Sequence, residues 1–172
     1  MRSKVLNSRS VRKGLIPRSL LGCLVLLAPA MLQAQSFCGD LQTMISAAPT
    51  FASLRGRATG SEFDGSLKFS GAVQCDIRNK TELDSNWQQI GGDKWTYECL
   101  WEEQAPTALA ALKGQVTACL PDASYRDGSR LGLGNYPGGI FRYGEVSIAA
   151  DYGLQTKQLW LTVIPAGVDP SK

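Results

Sequence analysis

The stretch Trp95–Trp101, with the sequence WTYECLW, decides how this chain folds. It places Trp95, Tyr97, Cys99 and Trp101 at alternate positions, and alternate residues of an extended chain share one face. The pattern predicts a β-strand that presents three aromatic rings and a cysteine to a buried core. Because a cysteine among buried rings is typical of a structural bridge, we interpret this face as core rather than as a ligand platform.

The first 34 residues have the composition of a secretory leader. They contain six basic residues and no acidic one, and they include the 14-residue apolar run SLLGCLVLLAPAML at 19–32. Crossing a bilayer takes roughly 20 apolar residues, so this run is too short for a stable membrane span. The pattern predicts a signal peptide cleaved after Ala34, with cleavage after Ala30 as the alternative. Residues 35–172 are then expected to form one periplasmic or secreted domain.

Removing the leader reverses the sign of the net charge. The whole chain has 18 Lys and Arg against 15 Asp and Glu, and losing six basic residues leaves 12 against 15, a net charge of −3. The remaining sequence has no dense run of Lys or Arg. Such a run is the electrostatic mark of a nucleic-acid-binding protein, and we therefore expect no nucleic-acid partner.

Cleavage also removes Cys23 and leaves an even set of cysteines. The four that remain are Cys38, Cys75, Cys99 and Cys119. In an exported chain this number predicts two structural disulfides, and their wide spacing without any histidine argues against zinc. Sequence allows three pairings. We expect each bridge to tie a helix to a strand, as Cys38–Cys75 and Cys99–Cys119, while other pairings, including Cys75–Cys99 across one hairpin, stay open.

Hydrophobic periodicity outlines two helices and four strands. Helical stripes occupy 38–54 and 105–120, and alternation marks strands within 66–77, 94–103, 145–152 and 157–164. The last of these is apolar on both faces, which predicts a place inside the sheet. The order is helix, strand, strand, repeated once. It predicts an α+β fold in which both helices pack on one face of an antiparallel sheet.

The sequence lacks the residue sets of the common enzyme classes. It contains no histidine, which removes Ser-His-Asp and Cys-His catalysis, and it has no G-x-S-x-G or phosphate-binding loop. A mechanism that uses carboxylates alone would need acids beside the aromatic strand, but alternation places Glu98 and Glu102 on the solvent face opposite the aromatics. We therefore expect no catalytic residues, no metal site and no cofactor, and the prediction leans against an enzyme.

Residues 121–144 are the segment that packing explains least. They include six glycines in 24 residues, and their aromatic and basic residues are of the types that dominate protein-binding hot spots. A long loop in a compact domain is often functional. The predicted partner-binding residues are Tyr125, Arg130, Tyr136 and Arg142. The alternative is a surface connection in which IFRYG, at 140–144, adds an edge strand.

Together these features predict an exported, non-enzymatic protein-binding module with a protein partner in the cell envelope. An inhibitor of an envelope enzyme, or an immunity or accessory factor acting on one, would have these properties. The alternative is a carbohydrate-binding or cell-wall-binding domain that uses the tryptophans and acids of residues 87–103. A purely structural envelope component, without a discrete site, is the third hypothesis.

Overall fold

The structure is a computed structural model, and it describes residues 28–80, 82–83, 89–90, 94–128 and 137–168. Within these residues lie two α-helices, α1 (Ala28–Ala47) and α2 (Thr107–Cys119), and a 3₁₀ turn at Ala52–Leu54. The strands, in chain order, are β1 (Arg55–Thr59), β2 (Glu62–Gly65), β3 (Gln74–Asn79), β4 (Glu82–Leu83), β5 (Gln89–Ile90), β6 (Trp95–Trp101), β7 (Ser124–Asp127), β8 (Gly138–Tyr143), β9 (Val146–Gly153) and β10 (Gln158–Ile164).

Eight of these strands form one antiparallel sheet in the order β1-β2-β3-β6-β10-β9-β8-β7, and β4 pairs separately with β5. The four strands predicted from alternation correspond to β3, β6, β9 and β10, which are the four central strands of the sheet. Strand β10 lies between β6 and β9, as its apolar pattern on both faces predicts.

The aromatic face of β6 lies in the main hydrophobic core. Trp95, Tyr97, Cys99 and Trp101 are all buried there. The same core cluster contains Phe37, Leu41 and Met44 from α1 and Leu109, Leu112 and Val116 from α2. Both helices therefore cover this face of the sheet, and the predicted α+β architecture is confirmed.

The two disulfides are present, but the expected helix-to-strand pairing is wrong. Strands β3 and β6 are neighbours whose register places Cys75 directly opposite Cys99, with 4.1 Å between the Cα atoms. Cys38 of α1 is bonded to Cys119 of α2, with 5.1 Å between their Cα atoms. Because the helices lie side by side on one face, each cysteine is closest to a cysteine in an element of its own kind.

The first helix ends earlier than its apolar stripe predicts. It ends at Ala47, and Phe51 takes a left-handed conformation with φ 52° before the 3₁₀ turn and β1. Proline at position 49 cannot donate a helical hydrogen bond, which explains why the helix does not continue through it. Phe51 and Leu54 nevertheless stay buried in the core. At its other end α1 begins at Ala28, so the helix crosses the predicted cleavage position after Ala34.

Candidate functional site

The structure places two of the four predicted partner-binding residues on one hairpin. Tyr125 lies on β7 and Arg142 lies on β8, and these strands pair antiparallel. Arg130 and Tyr136 lie outside the described residues. The prediction of one long connection across 121–144 is therefore wrong in part, because two of its segments form a strand pair at the edge of the sheet.

The hairpin forms because β7 packs its tyrosine onto buried positions of β8. Tyr125 is opposite Phe141, and their ring centroids are 4.8 Å apart. The Tyr125 ring also covers Gly139, where a Cβ atom would come within 2.6 Å of ring atoms. Gly139 is one of the glycines whose number in 121–144 predicted a loop. It has a packing role instead, since only glycine lets the ring approach so closely.

A lysine from α2 fixes the orientation of Tyr125. Lys113 Nζ lies 3.2 Å from Asp127 Oδ1 and 5.3 Å from the centroid of the Tyr125 ring. The Tyr125 hydroxyl donates a hydrogen bond to the same Asp127 oxygen. Lys113 was not predicted from the sequence, because no sequence pattern indicates that a lysine of α2 contacts a residue of β7. The half-exposed ring is therefore held in place by Phe141, Lys113 and Asp127.

The same contacts shift the pKa values of Tyr125, Lys113 and Asp127. Hydrogen bonds from Tyr125 and Lys113 lower the pKa of Asp127. Partial burial raises the pKa of Tyr125, and the hydrogen bond to Asp127 adds to this effect. Partial burial lowers the pKa of Lys113, but its hydrogen bonds to Tyr125 and Asp127 outweigh burial and raise that pKa overall. At neutral pH the cluster consists of a cation, an anion and a neutral phenol.

The opposite face of the hairpin carries two arginines beside a depression. A cavity of about 330 Å³ is lined by Ser124, Tyr125, Arg126, Ile140 and Arg142. Arg126 is opposite Ile140 and Arg142 is opposite Ser124, which puts the two arginines diagonally across the strand pair. Both are exposed, and neither has a hydrogen bond or ion pair with any residue that the structure describes. Arg126 is a site residue that the sequence prediction did not include.

This arrangement can bind carboxylates and extended backbone. Each guanidinium can donate two parallel hydrogen bonds to a carboxylate. Strand β7 is the last strand of the sheet in the described part of the chain, and an edge strand offers backbone N–H and C=O groups for pairing. Arg126 and Arg142 therefore combine two cationic contacts with a strand edge on one face of the hairpin, and the Tyr125 ring lies on the other face of the same edge strand. We call these three residues the β7 edge.

The tryptophans of the alternative carbohydrate site are mostly inside the core. Trp95 is 8 % exposed and Trp101 is 9 % exposed, so neither offers an open ring face on the surface of the sheet. Trp87 lies outside the described residues. Stacking of a sugar needs an accessible ring face, and these two side chains give little support to that hypothesis.

Glu98 lies on the face opposite the aromatic rings, as alternation predicts, but the expectation that it faces solvent is wrong, because it is buried and ion-paired. Its two carboxylate oxygens each lie 3.3 Å from a cation, Oε2 from Arg78 Nε and Oε1 from Lys80 Nζ. Arg78 also contacts Asp76, which is directly opposite Glu98 on the neighbouring strand. These ion pairs join β3 to β6, and this carboxylate therefore has a structural explanation.

Among the residues that the structure describes, no group of three or more acidic, cysteine or histidine side chains is arranged to hold a metal ion. In the same part of the chain, neither helix is long and apolar enough to cross a membrane. A scan against protein-family models, a search of curated proteins and a search of solved structures found no match to this chain. A functional assignment must therefore come from the residues of the chain itself.

Proposed function

We propose that this chain is an exported, non-enzymatic protein-binding module that contacts its partner through the β7 edge. The observation that carries the proposal is the pair of exposed arginines, Arg126 and Arg142, on one face of the β7–β8 pair, with the fixed ring of Tyr125 on the other face of β7. Tyrosine and arginine are enriched among the residues that dominate protein–protein binding energy. A ring that is already held in place loses little conformational entropy on binding, which favours affinity.

The chemistry of the β7 edge favours an acidic partner. Two neighbouring guanidinium groups without a counter-ion among the described residues would repel a basic surface and attract carboxylates. The partner could add an extended segment to β7 and place an acidic side chain between the arginines. The predicted mature chain as a whole has a net charge of −3, so an acidic partner would be oriented toward this locally positive edge.

The proposed cellular setting is supported by the disulfides and by the predicted leader. Two disulfides are typical of a chain that folds in an oxidising compartment, such as the periplasm or the outside of the cell. A small module with two disulfides and no histidine in its sequence would be suited, in that setting, to block or protect another protein. We therefore propose an inhibitor, immunity factor or accessory factor of an envelope enzyme.

The test is co-purification followed by measured affinity. The full chain, tagged after Lys172, is expressed in its own host and recovered from the cell envelope without reductant. Mass spectrometry identifies any stoichiometric partner, and calorimetry then compares the wild type with the Arg126→Ala, Arg142→Ala double variant. We expect the double variant to bind the identified protein at least about tenfold more weakly, as for hot-spot residues.

A matched control is available on the other edge of the sheet. Arg57 is exposed on β1, and Arg57→Ala removes one arginine far from β7 in the order of strands. Its affinity should equal that of the wild type. Equal affinity of the double variant and the wild type would remove the β7 edge from the proposal. Retention on purified cell-wall material without any protein partner would favour the carbohydrate alternative instead.

A further inference from the structure

A second cavity lies between the two helices, away from the β7 edge. It has a volume of about 250 Å³ and is bordered by α1, α2 and the end of β6. Three aromatic rings form part of its lining: Phe37 and Phe69 stack at 4.7 Å between centroids, and Phe69 and Trp101 stack at 6.0 Å. The indole N–H of Trp101 donates to the carbonyl of Ser70 at 3.2 Å. This apolar side of the cleft is therefore fixed by packing and by a hydrogen bond.

The polar side of the cleft contains a carboxylate that has no counter-ion among the described residues. Asp40 of α1 lines the cleft and is half buried, and Gln115 of α2 lies among the same lining residues. Neither side chain has a hydrogen bond or ion pair with any residue in the described ranges. The described lining residues include no lysine or arginine. The cleft thus has a net negative charge beside an apolar surface.

A third polar residue is positioned by its backbone. The N–H of Gln104 donates to the carbonyl of Lys157 at 2.8 Å, and its carbonyl accepts a hydrogen bond from the Tyr152 hydroxyl at 2.8 Å. Its side-chain nitrogen donates to the carbonyl of Glu102, also at 2.8 Å. No described residue donates to the side-chain oxygen of Gln104, and an acceptor in the same cleft as a carboxylate suits a ligand that donates hydrogen bonds.

From this lining we propose that the cleft binds a small organic ammonium ion with an apolar stem. The ammonium group would lie against Asp40, and the stem would lie against the apolar lining that Phe37, Trp101 and Leu112 contribute to. An anion would face the uncompensated carboxylate and is disfavoured. The volume is below that of sites for drug-sized ligands, which suits a single ring or one lysine side chain. This site is independent of the proposed protein-binding edge.

The test uses two probes with the same ring, one bearing a charged ammonium group and the other a neutral hydroxyl. Cyclohexylammonium and cyclohexanol are titrated into the exported protein, purified without reductant, and binding is followed by calorimetry. We expect saturable binding of the ammonium ion and binding of the alcohol that is at least about tenfold weaker. Asp40→Asn, which keeps the shape of the side chain, should remove the preference, and Asp122→Asn at an exposed position outside the cleft should not.

Filling the cleft provides a second, independent measurement. Ala111 lines the cleft and Ala110 does not, although both are exposed on α2. Ala111→Leu should abolish binding of cyclohexylammonium, whereas Ala110→Leu should leave it unchanged. Circular dichroism confirms that each variant is folded. Equal affinity for the two probes, no binding of the ammonium ion, or unchanged binding in Asp40→Asn would overturn the proposal.

The same assay distinguishes two natural sources of the ammonium group, a lysine side chain of a partner protein and a free amine. Nα-acetyl-lysine amide presents the group on a flexible stem, as a partner protein would. Tighter binding of this probe assigns the cleft to a protein side chain, and tighter binding of cyclohexylammonium assigns it to a free ring amine. Neither result depends on Arg126 or Arg142, so failure of this proposal and failure of the protein-binding proposal remain distinguishable.

Discussion

The hydroxyl of Tyr97 bonds to both backbone groups of Leu67. It donates to the Leu67 carbonyl and accepts from the Leu67 N–H, with 3.1 Å between nitrogen and oxygen. Tyr97 is fully buried on the central strand β6, whereas Leu67 lies in the irregular segment between β2 and β3. One side chain therefore satisfies two backbone groups outside the strands and ties this segment to the core.

Tyr97→Phe should destabilise the fold by about 1 to 3 kcal/mol. The substitution keeps the buried ring and removes the hydroxyl, which leaves the N–H and the carbonyl of Leu67 without their partner. Urea unfolding with the disulfides intact measures the change. Tyr143→Phe is the matched control, since the Tyr143 hydroxyl has no partner among the described residues, and its effect should stay within about 0.5 kcal/mol. Equal effects of the two substitutions would contradict this role of Tyr97.

The free energy of unfolding should decrease in alkaline solution because Tyr97 ionises there. Burial raises the pKa of Tyr97 from 10.0 to about 12, although the hydrogen bond to Leu67 lowers it in part. Between these two values the unfolded chain releases a proton that the folded chain keeps, so the free energy of unfolding decreases as pH rises. Below pH 10 the contribution of Tyr97 is fully present.

Urea midpoints measured at a series of pH values test this sign. The wild type should lose more stability than Tyr97→Phe as the pH rises from 10 to about 12. Tyr143→Phe should follow the wild type, because it leaves the buried phenol in place. Parallel pH dependences for the wild type and Tyr97→Phe would show that another group causes the alkaline loss.

The same substitution at two glycines should have opposite effects. Gly65 lies against Tyr97, and an added Cβ would collide with the phenol oxygen and lie only 3.0 Å from the carbonyl of Cys75. Gly65→Ala should therefore cost about 1 to 3 kcal/mol through overpacking. Gly114 lies within α2 with open space around it, and Gly114→Ala should stabilise the helix by about 0.5 to 1 kcal/mol.

Thermal and urea unfolding of both variants measure these changes. If Gly65→Ala were neutral, the contact between this glycine and the phenol would not be tight in solution. If Gly114→Ala were destabilising, the exposed face of α2 would have to contact something that fills the space beside Gly114.

The central strands could be predicted from sequence because burial imposes a pattern on them. Strands β3, β6, β9 and β10 form the middle of the sheet, and their core-facing residues alternate. The outer strands β1 and β7 are almost entirely exposed, with the sequences RGRAT and SYRD. Exposed positions are under little pressure to be apolar, and these strands therefore have no periodic signal.

The candidate site was partly predictable for a related reason. Residue type alone identified Tyr125 and Arg142, since tyrosine and arginine are frequent in binding surfaces. Arg126 and Lys113 acquire their roles through the register of β7 with β8 and the packing of α2 on the sheet. The disulfide pairing depends on tertiary placement in the same way, because no local pattern brings Cys38 next to Cys119.

The two disulfides should differ in their resistance to reduction. Cys75 is 5 % exposed and Cys99 is 1 % exposed, so reductant must open the core to reach their bond. Cys38 and Cys119 are only partly buried, and both line a shallow apolar groove of about 290 Å³ between α1 and α2. Thiol–disulfide exchange requires access of the attacking thiolate to a sulfur atom. Mild reductant under native conditions should therefore open the Cys38–Cys119 bond first.

Timed alkylation followed by peptide mapping measures the order of reduction. Labels should appear on Cys38 and Cys119 while Cys75 and Cys99 remain joined, and the sheet should persist because its strands do not depend on the bridge between the helices. In strong denaturant, where burial no longer protects either bond, the two rates should converge. Earlier labelling of Cys75 and Cys99 under native conditions would show that β3 and β6 open more readily than the pair of helices, contrary to the burial of their cysteines in the core.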